Sequence, residues 1–215
     1  MKMNDTEANT RLNKLVNQRA SRKPRFLTDQ GHRMSAVLVP LVETDRGTEV
    51  LFEVRASHLQ MQPGDTCFPG GGMKDQENPW DAALRETCEE LLVRPEQVEL
   101  LAPLDGQLGP GSQPIWPWVG RLRNYQGTYS AQEVDRVFTV PLTWFLENEP
   151  EVYRMGTETH VPDGFPAELM PEDGSRTWRR PDMVVPVYRY EGEIIWGFTA
   201  RVVRALVGEM GETEI

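Results

Sequence analysis

Three glutamates lie close together in the second half of a short segment that has three consecutive glycines near its start. The segment from Cys67 to Val93 reads CFPGGGMKDQENPWDAALRETCEELLV. Its Glu86, Glu89 and Glu90 stand at positions i, i+3 and i+4, so on a helix they share one face, with Cβ atoms about 5 to 6 Å apart. Like charges in this arrangement destabilise a helix, and carboxylates in its last turns oppose the helix dipole. Two local rules are broken at one place, which is typical of a functional site.

A hard divalent cation would resolve this repulsion. Magnesium prefers oxygen ligands, commonly one or two carboxylates together with water and substrate phosphates. Such a cation can bridge an acidic face to a pyrophosphate, neutralise developing charge and lower the pKa of bound water. Gly70, Gly71 and Gly72 add to this, because glycine adopts backbone angles closed to other residues and lets the main chain approach a ligand or metal closely. The segment therefore predicts a metal-dependent phosphate site.

Each half of this segment also has an ordinary structural explanation, a solvated helix face for the glutamates and a simple turn for FPGGG. The complete spacing is more specific than either half. A glycine, five residues, a glutamate, seven residues and then Arg-Glu-x-x-Glu-Glu describe a set of six positions, which are Gly71, Glu77, Arg85, Glu86, Glu89 and Glu90. Over the 23 residues from Gly71 to Val93, this arrangement resembles the Nudix box, the signature of hydrolases acting on nucleoside diphosphates linked to another moiety. The pattern has a glycine where this chain has Leu92, so we expect an altered loop after the helix and intact metal chemistry.

The resemblance implies an α/β fold, a Nudix-type α/β/α sandwich with a mixed β-sheet and a loop-helix-loop catalytic motif. It implies that Glu86 and Glu90 are the leading ligands of Mg²⁺ or Mn²⁺. Glu89 would be a further ligand, and the Gly71 carbonyl another candidate. Arg85 would orient the carboxylates through an ion pair, with Glu77 as a candidate partner; a plain ion pair on the helix surface is the alternative interpretation of Arg85.

The residues just before the box resemble the element that precedes it in coenzyme A pyrophosphatases. That element has two leucines, a threonine, Arg-Ser or Arg-Ala, a second arginine, a glycine and then FPGG. Several positions agree with it, namely Leu51, Arg55, Ala56, Gly64 and Phe68 to Gly71. Phe52 and Glu53 depart from the element, and Gln60 stands where the second arginine is expected. The similarity runs from about Met34 to Leu206 and implies cleavage of coenzyme A or acyl-CoA to 3',5'-ADP and the 4'-phosphopantetheine product.

Four residues are candidates for binding the substrate: Arg55, Phe68, Gly70 and Gly71. The guanidinium of Arg55 matches phosphate oxygens in a bidentate way, although an ion pair at a strand end is the alternative. Glu133 lies in a loop-like position before a predicted strand. It is a candidate metal ligand or general base, against the alternative of a solvated loop acid. With Glu133, the candidate catalytic set is Arg85, Glu86, Glu89, Glu90 and Glu133.

Two other functions stay open at this point. A pyrophosphatase for ADP-ribose, a dinucleoside polyphosphate or another nucleotide is favoured by Gln60 and Leu92. A non-catalytic Nudix domain that senses a ligand or binds a protein belongs to a different class. The complete set of Arg85 and the three glutamates argues against that last alternative, since a domain without turnover does not need all four.

The elements around the box follow from local patterns. Alternating and β-branched residues in MSAVLVPLV and RGTEVLFEVRA predict a hairpin. Asn78 as N-cap, Pro79 at the first position and Pro95 as a stop predict a helix between them. Further strands are predicted at VELLAPLDG, IWPWVGRL and DRVFTVPL. A helical turn at 144–146, a hairpin turning at 191–193 and a closing helix over FTARVVRALVGEM complete the predicted order.

Length and composition predict one domain and exclude several partners. A chain of 215 residues with 39% hydrophobic and 26% charged residues accommodates a Nudix domain at 31–210. Residues 1–30 would be an N-terminal extension with a short helix at 9–20, and residues 156–180 would be a long loop or insertion.

The net charge of -10 argues against nucleic acid or anionic membranes as partners, so a small nucleoside diphosphate is the expected partner. Two cysteines and the absence of an apolar leader predict a cytoplasmic protein, and a homodimer stays open.

Overall fold

The computed structural model of this protein describes residues 34–156, 163, 164, 166 and 182–211. The predicted extension at 1–30, with its helix at 9–20, lies outside these residues. So does most of the predicted loop at 156–180. The domain boundaries therefore stay predictions.

Eleven strands and three α-helices make up the described part of the chain. The larger sheet contains β1 (Ser35–Thr44), β2 (Gly47–Arg55), β3 (Thr66–Cys67), β4 (Gly70–Gly72), β5 (Val98–Pro103), β6 (Gln107–Leu108), β7 (Pro114–Leu122) and β8 (Val134–Pro141). The smaller sheet contains β9 (Glu151–Met155), β10 (Met183–Tyr190) and β11 (Glu193–Trp196). The helices are α1 (Pro79–Leu91), α2 (Leu142–Glu147) and α3 (Gly197–Gly211).

The larger sheet is mixed. Its order is β3-β2-β1-β7-β5, with β4 paired to β1, β6 to β7 and β8 to β2. The central pair β1 and β7 is parallel, whereas the other pairs are antiparallel. Strand β1 is buried along most of its length because helices cover both of its faces.

The two faces of β1 belong to two separate hydrophobic clusters. On one face Val37, Val39 and Leu41 pack with residues of α2 and α3, including Phe145 and Val202. The opposite face packs against α1, through contacts that join Leu38 and Val42 to Leu91. The alternation of side chains along a strand produces this division. The sheet thus lies between helices on both faces, and the predicted α/β/α sandwich is confirmed.

Most of the predicted elements are confirmed with shifted bounds. Helix α1 was predicted within the segment that ends at Val93, with Pro95 as its stop, but it already ends at Leu91, because Leu92 has left-handed backbone angles, φ 53° and ψ 42°. The glycine run was expected to form a loop, but it forms strand β4 against β1. Strand β9 was not predicted, since all five of its residues are exposed and no apolar alternation marks it.

None of the helices in the described part of the chain has the length and apolar content needed to span a bilayer.

Candidate active site

Helix α1 presents the acidic face to the glycine strand β4. Its start is fixed locally, because Asn78 Oδ1 accepts a hydrogen bond from the Asp81 N–H at 2.9 Å and Pro79 occupies the first turn. Ala82 and Ala83 are fully buried against the sheet. This fixed start and buried face set the rotation of the helix, and with it the directions of the carboxylates one to two turns later.

Two glycines of strand β4, Gly70 and Gly71, allow the strand to approach its neighbours closely. A Cβ atom at Gly70, where φ is +154°, would lie 2.6 Å from Val37 Cα and against the Ala36 carbonyl oxygen. A Cβ atom at Gly71 would lie 2.6 Å from Glu86 Cδ. Both distances are far below van der Waals contact, so glycine is required at position 70 for packing against β1 and at position 71 for packing against α1.

Arg85 is the centre of an ion-pair network. Its Nε and Nη2 atoms donate to the two carboxylate oxygens of Glu77, each at 3.0 Å. Its Nη1 donates to Glu86 Oε1 at 2.6 Å, and Nη2 also donates to the Gly72 carbonyl at 3.1 Å. The hydrogen bonds from Arg85 lower the pKa of Glu77 to about 2. The forked guanidinium of Arg85 thus holds Glu77, in the loop before α1, and the Glu86 carboxylate in fixed positions relative to each other.

Glu90 is the buried member of the acidic face. Only 4% of the residue is exposed, and its Oε2 accepts a hydrogen bond from the Gly70 N–H at 2.8 Å. Burial is the largest cause that raises its pKa, and the negative charges of Glu53, Glu86 and Glu133 add to it. The Gly70 hydrogen bond acts in the opposite direction. A buried carboxylate with other acids around it is suited to a cation that compensates its charge.

Glu53 of β2 joins this group, and the sequence reasoning missed it as a site residue. It is 1% exposed, and its Oε1 accepts a hydrogen bond from Cys67 Sγ at 3.3 Å. Burial, again the largest cause, raises its pKa. The signal was present in the sequence, because an acid interrupts the apolar strand LFEV, but it was noted only as a departure from a family pattern.

The loop before β8 is tied to the end of α1 and to β2. The Ser130 N–H donates to the Glu90 carbonyl at 2.7 Å, and the Ala56 N–H donates to the Glu133 carbonyl at 2.9 Å. The Glu133 side chain is exposed, and its charge raises the pKa of both Glu53 and Glu90. The backbone therefore places Glu133 at the rim of the carboxylate group.

The remaining candidates lie at different places. Glu89 is exposed at the rim, with Oε2 3.8 Å from Arg85 Nη1. Arg55 is half-buried, its Nε donates to the Met61 carbonyl at 3.2 Å, and its charge lowers the pKa of Glu53.

Phe68 lies in the core, 4% exposed and stacked on Phe52, so its ring is not on the surface of the site. The structure thus brings Gly70, Gly71, Arg85, Glu86, Glu90 and Glu133 together and leaves the Phe68 ring in the core.

The chemistry of this group fits a hard divalent cation. The side chains that could hold one are Glu86, Glu89 and Glu90, all oxygen donors of the type that Mg²⁺ and Mn²⁺ prefer. Glu53 Oε2 is buried without a hydrogen-bond partner, so this oxygen also fits a cation as its partner. Within the described residues, no three acidic, histidine or cysteine side chains already stand in a ligand arrangement. In this conformation Arg85 donates a hydrogen bond to Glu86 Oε1 at 2.6 Å, so this carboxylate is held by a protein cation.

Comparison with known proteins agrees with this geometry. The NUDIX domain family model matches residues 32–152. Mouse peroxisomal coenzyme A diphosphatase NUDT7 is 40% identical over 121 residues, which are 55% of this chain and 50% of that protein. This chain therefore spans about half the length of that relative. The uncharacterized Nudix hydrolase NudL of Escherichia coli K12 is 30% identical over 188 residues, 84% of each chain.

Among solved structures, a Caenorhabditis elegans Ap4A hydrolase in a binary complex is 22% identical, with a TM-score of 0.44. The similarity covers 51% of this chain and 80% of that one. The family assignment depends on the match at 32–152 and on the NudL alignment, which extends over most of both chains. This chain belongs to the Nudix hydrolase family.

Proposed function

We propose that this protein hydrolyses the pyrophosphate bond of coenzyme A or an acyl-CoA, with Mg²⁺ or Mn²⁺ as cofactor. The products would be 3',5'-ADP and 4'-phosphopantetheine or its acyl derivative. One observation carries the reaction class: a single guanidinium, Arg85, holds Glu77 and Glu86 while the Gly70 amide holds Glu90 beside them. This arrangement orients carboxylates for a cation and a pyrophosphate.

In the proposed reaction one water molecule is added across the P–O–P bridge. The water oxygen forms a bond to one phosphorus, and the bridging oxygen leaves with the other phosphate. A bound divalent cation would supply charge neutralisation and a lower pKa for water. Glu86, Glu89, Glu90 and the Gly71 carbonyl are the proposed ligands. Glu133, exposed at the rim, is the proposed acceptor of the water proton.

Two observations support coenzyme A as the substrate. The segment before the box keeps Arg55 and the FPGG run of the coenzyme A element, and we assign Arg55 to the substrate phosphates, with Gly70 and Gly71 beside the pyrophosphate. The mouse relative is named as a coenzyme A diphosphatase. Phe68 was a candidate substrate contact, and its buried ring leaves it a role in supporting this loop.

A second candidate keeps the chemistry and changes the ligand to ADP-ribose or another nucleotide. Gln60 favours it, because the coenzyme A element has an arginine there and a glutamine carries no charge for an additional phosphate. A small nucleoside diphosphate is the expected partner in either case. A cytoplasmic location and a homodimer stay predictions.

The decisive experiment incubates the purified chain and Mg²⁺ with coenzyme A, acetyl-CoA, ADP-ribose, NADH and diadenosine polyphosphates. Mass spectrometry of the products identifies the bond that is cleaved. We expect 3',5'-ADP from coenzyme A and acetyl-CoA at higher kcat/KM than any product of the other substrates. Strong hydrolysis of ADP-ribose without hydrolysis of coenzyme A would establish the second candidate. A lack of metal-dependent turnover with every substrate would favour a non-catalytic binding module.

A further inference from the structure

We propose that Glu53, which lies outside the Nudix box, is an additional ligand of the divalent cation and binds it through Oε2. This inference rests on the proposed function, because it assumes a cation at the acidic face of α1.

Glu53 points to the side of the sheet that α1 covers. Along β2, Phe52 belongs to the cluster under α2 and α3, whereas Leu51 belongs to the cluster under α1. Because side chains alternate along a strand, Glu53 shares the face of Leu51. Its cross-strand neighbour on β3 is Cys67, which lies on the same face. The carboxylate is therefore between the sheet and the helix that carries Glu90.

The two oxygens of this carboxylate have different surroundings. Oε1 accepts the Cys67 thiol at 3.3 Å, whereas Oε2 is buried and has no hydrogen-bond partner. A buried carboxylate oxygen without a partner is costly, so native proteins satisfy nearly all such groups. The thiol holds the carboxylate in one orientation, and the free oxygen is left for a positively charged partner. The negative charge of Glu133 acts on Glu53, and the charge of Glu53 in turn acts on Glu90, which agrees with a position of the Glu53 carboxylate beside the acidic face of α1.

Glu49 of the same strand shows what a structural buried glutamate looks like in this protein. It is also 1% exposed and has the same parity along β2. Its Oε2 accepts the Thr139 hydroxyl at 2.5 Å. Its Oε1 lies 2.6 Å from Arg46 Nε, an ion pair without the alignment of a hydrogen bond. Both oxygens of Glu49 thus have a partner from the protein, whereas only Oε1 of Glu53 has one.

The position is also unusual in relation to the coenzyme A element described above, which has a threonine where this chain has Glu53. A threonine would carry no charge there and would be an ordinary strand residue. Glutamate at this position adds a charged, buried oxygen beside the box. The replacement makes Glu53→Thr a natural test variant, next to the isosteric Glu53→Gln.

The test measures Mn²⁺ binding by isothermal titration calorimetry on the full chain, without substrate. The variants are Glu53→Gln and Glu53→Thr, with Glu49→Gln as the matched control. Circular dichroism and thermal unfolding in EDTA establish that each variant is folded. Loss of one ligand should weaken Mn²⁺ binding by about tenfold or more in both Glu53 variants, and Glu49→Gln should bind as the wild type does.

Each outcome has a distinct meaning. If both folded Glu53 variants bind Mn²⁺ within about twofold of the wild type, far less than loss of a ligand predicts, then Glu53 is structural and the inference is wrong. If Glu53→Gln does not fold, Glu53→Thr alone decides. If Glu49→Gln weakens Mn²⁺ binding as much as the Glu53 variants do, the effect is a general one of the strand and contradicts the inference. If the wild type itself binds no Mn²⁺, the proposed function fails before the role of Glu53 is reached.

Discussion

The carboxylate of Glu86 occupies the space that any side chain at position 71 would need. A Cβ atom on Gly71 would lie 2.6 Å from Glu86 Cδ and 2.8 Å from Glu86 Oε1. The glycine and the glutamate are therefore one packing unit, although fifteen positions separate them in the chain.

Gly71→Ala should consequently displace the Glu86 carboxylate. Because displacements of about 1 Å can cost about a hundredfold in rate, we expect kcat/KM to fall by about that factor. The measurement is metal-dependent hydrolysis of the best substrate from the panel. Gly72→Ala is the control, since a Cβ atom at Gly72 meets nothing within 4 Å. Equal activity of the two variants would contradict the role assigned to Gly71.

Glu90→Gln should abolish turnover and leave the fold intact. The amide keeps the shape of the side chain and can still accept the Gly70 N–H, but it removes the negative charge. In the absence of metal the variant should be at least as stable as the wild type near neutral pH, because the raised pKa of Glu90 means that burying this group costs free energy relative to the ionised group in the unfolded chain, and the neutral amide avoids that cost. Activity assays test the loss of turnover, and thermal unfolding in EDTA tests the stability of the variant without metal. Retained metal-dependent hydrolysis would refute the assignment of Glu90 to the site.

Arg85→Lys should impair catalysis by about ten- to a hundredfold, as replacement of residues that orient metal ligands commonly does. Lysine keeps the positive charge, but a single ammonium cannot reproduce the fork that bonds Glu77 through two nitrogens while it also bonds Glu86. The concentration of Mg²⁺ at half-maximal rate should rise as well. The matched control is Arg123→Lys, which alters an exposed ion pair with Glu99. A loss of the same size in that control would point to a general effect of replacing arginine.

Stability without metal should decrease as the pH rises. Burial raises the pKa of Glu53 and Glu90 above the ordinary value of 4.5, so the folded protein binds their protons more tightly than the unfolded chain does. Their contribution favours folding at pH below about 4.5 and is lost as the pH rises through the folded-state pKa values. Urea unfolding in EDTA at a series of pH values above 5 (about 5 to 9) measures the slope. The double variant Glu53→Gln/Glu90→Gln should have a flatter profile, and an unchanged slope would contradict the assignment.

Leu92→Gly should stabilise the protein by about 0.5 to 1 kcal/mol, since a non-glycine residue in the left-handed region is strained. Leu92 has φ 53° and is 59% exposed, so little packing is lost when its side chain is removed. The expected increase in Tm is about 1 to 4 °C at this chain length. Leu92→Ala is the control, because it removes the same side chain and keeps the strain. If alanine stabilises as much as glycine does, the backbone is not the cause.

The parts of the fold that were predictable are those with local signals. Helix α1 was predicted because Asn78 and Pro79 mark its start within the sequence itself. Its end was misplaced, because the left-handed conformation of Leu92 is not one that the leucine itself favours. Strand β4 could not be predicted, since three glycines have no strand propensity and the strand exists only through its pairing with β1.

The site was predictable where residues follow a spacing and not where the fold brings distant residues together. The Nudix spacing indicated the acids of α1, and in the structure Arg85 is bonded to Glu86 while Glu90 is buried and bonded to the Gly70 amide. Glu53 was missed as a member of the group, because its place beside the acidic face depends on the packing of α1 on the sheet and not on any spacing in the sequence. The assigned roles in metal binding and catalysis stay predictions until the variants are measured.

The hydrogen bond from the Gly70 amide to Glu90 joins strand β4 to helix α1, as the bond from Arg85 to the Gly72 carbonyl also does. Any movement of α1 away from the sheet must therefore break this bond. The Gly70 amide is accordingly a natural spectroscopic reporter. Its nitrogen and proton chemical shifts, and its exchange with deuterium, would register the state of the Glu90 carboxylate without any label placed in the site.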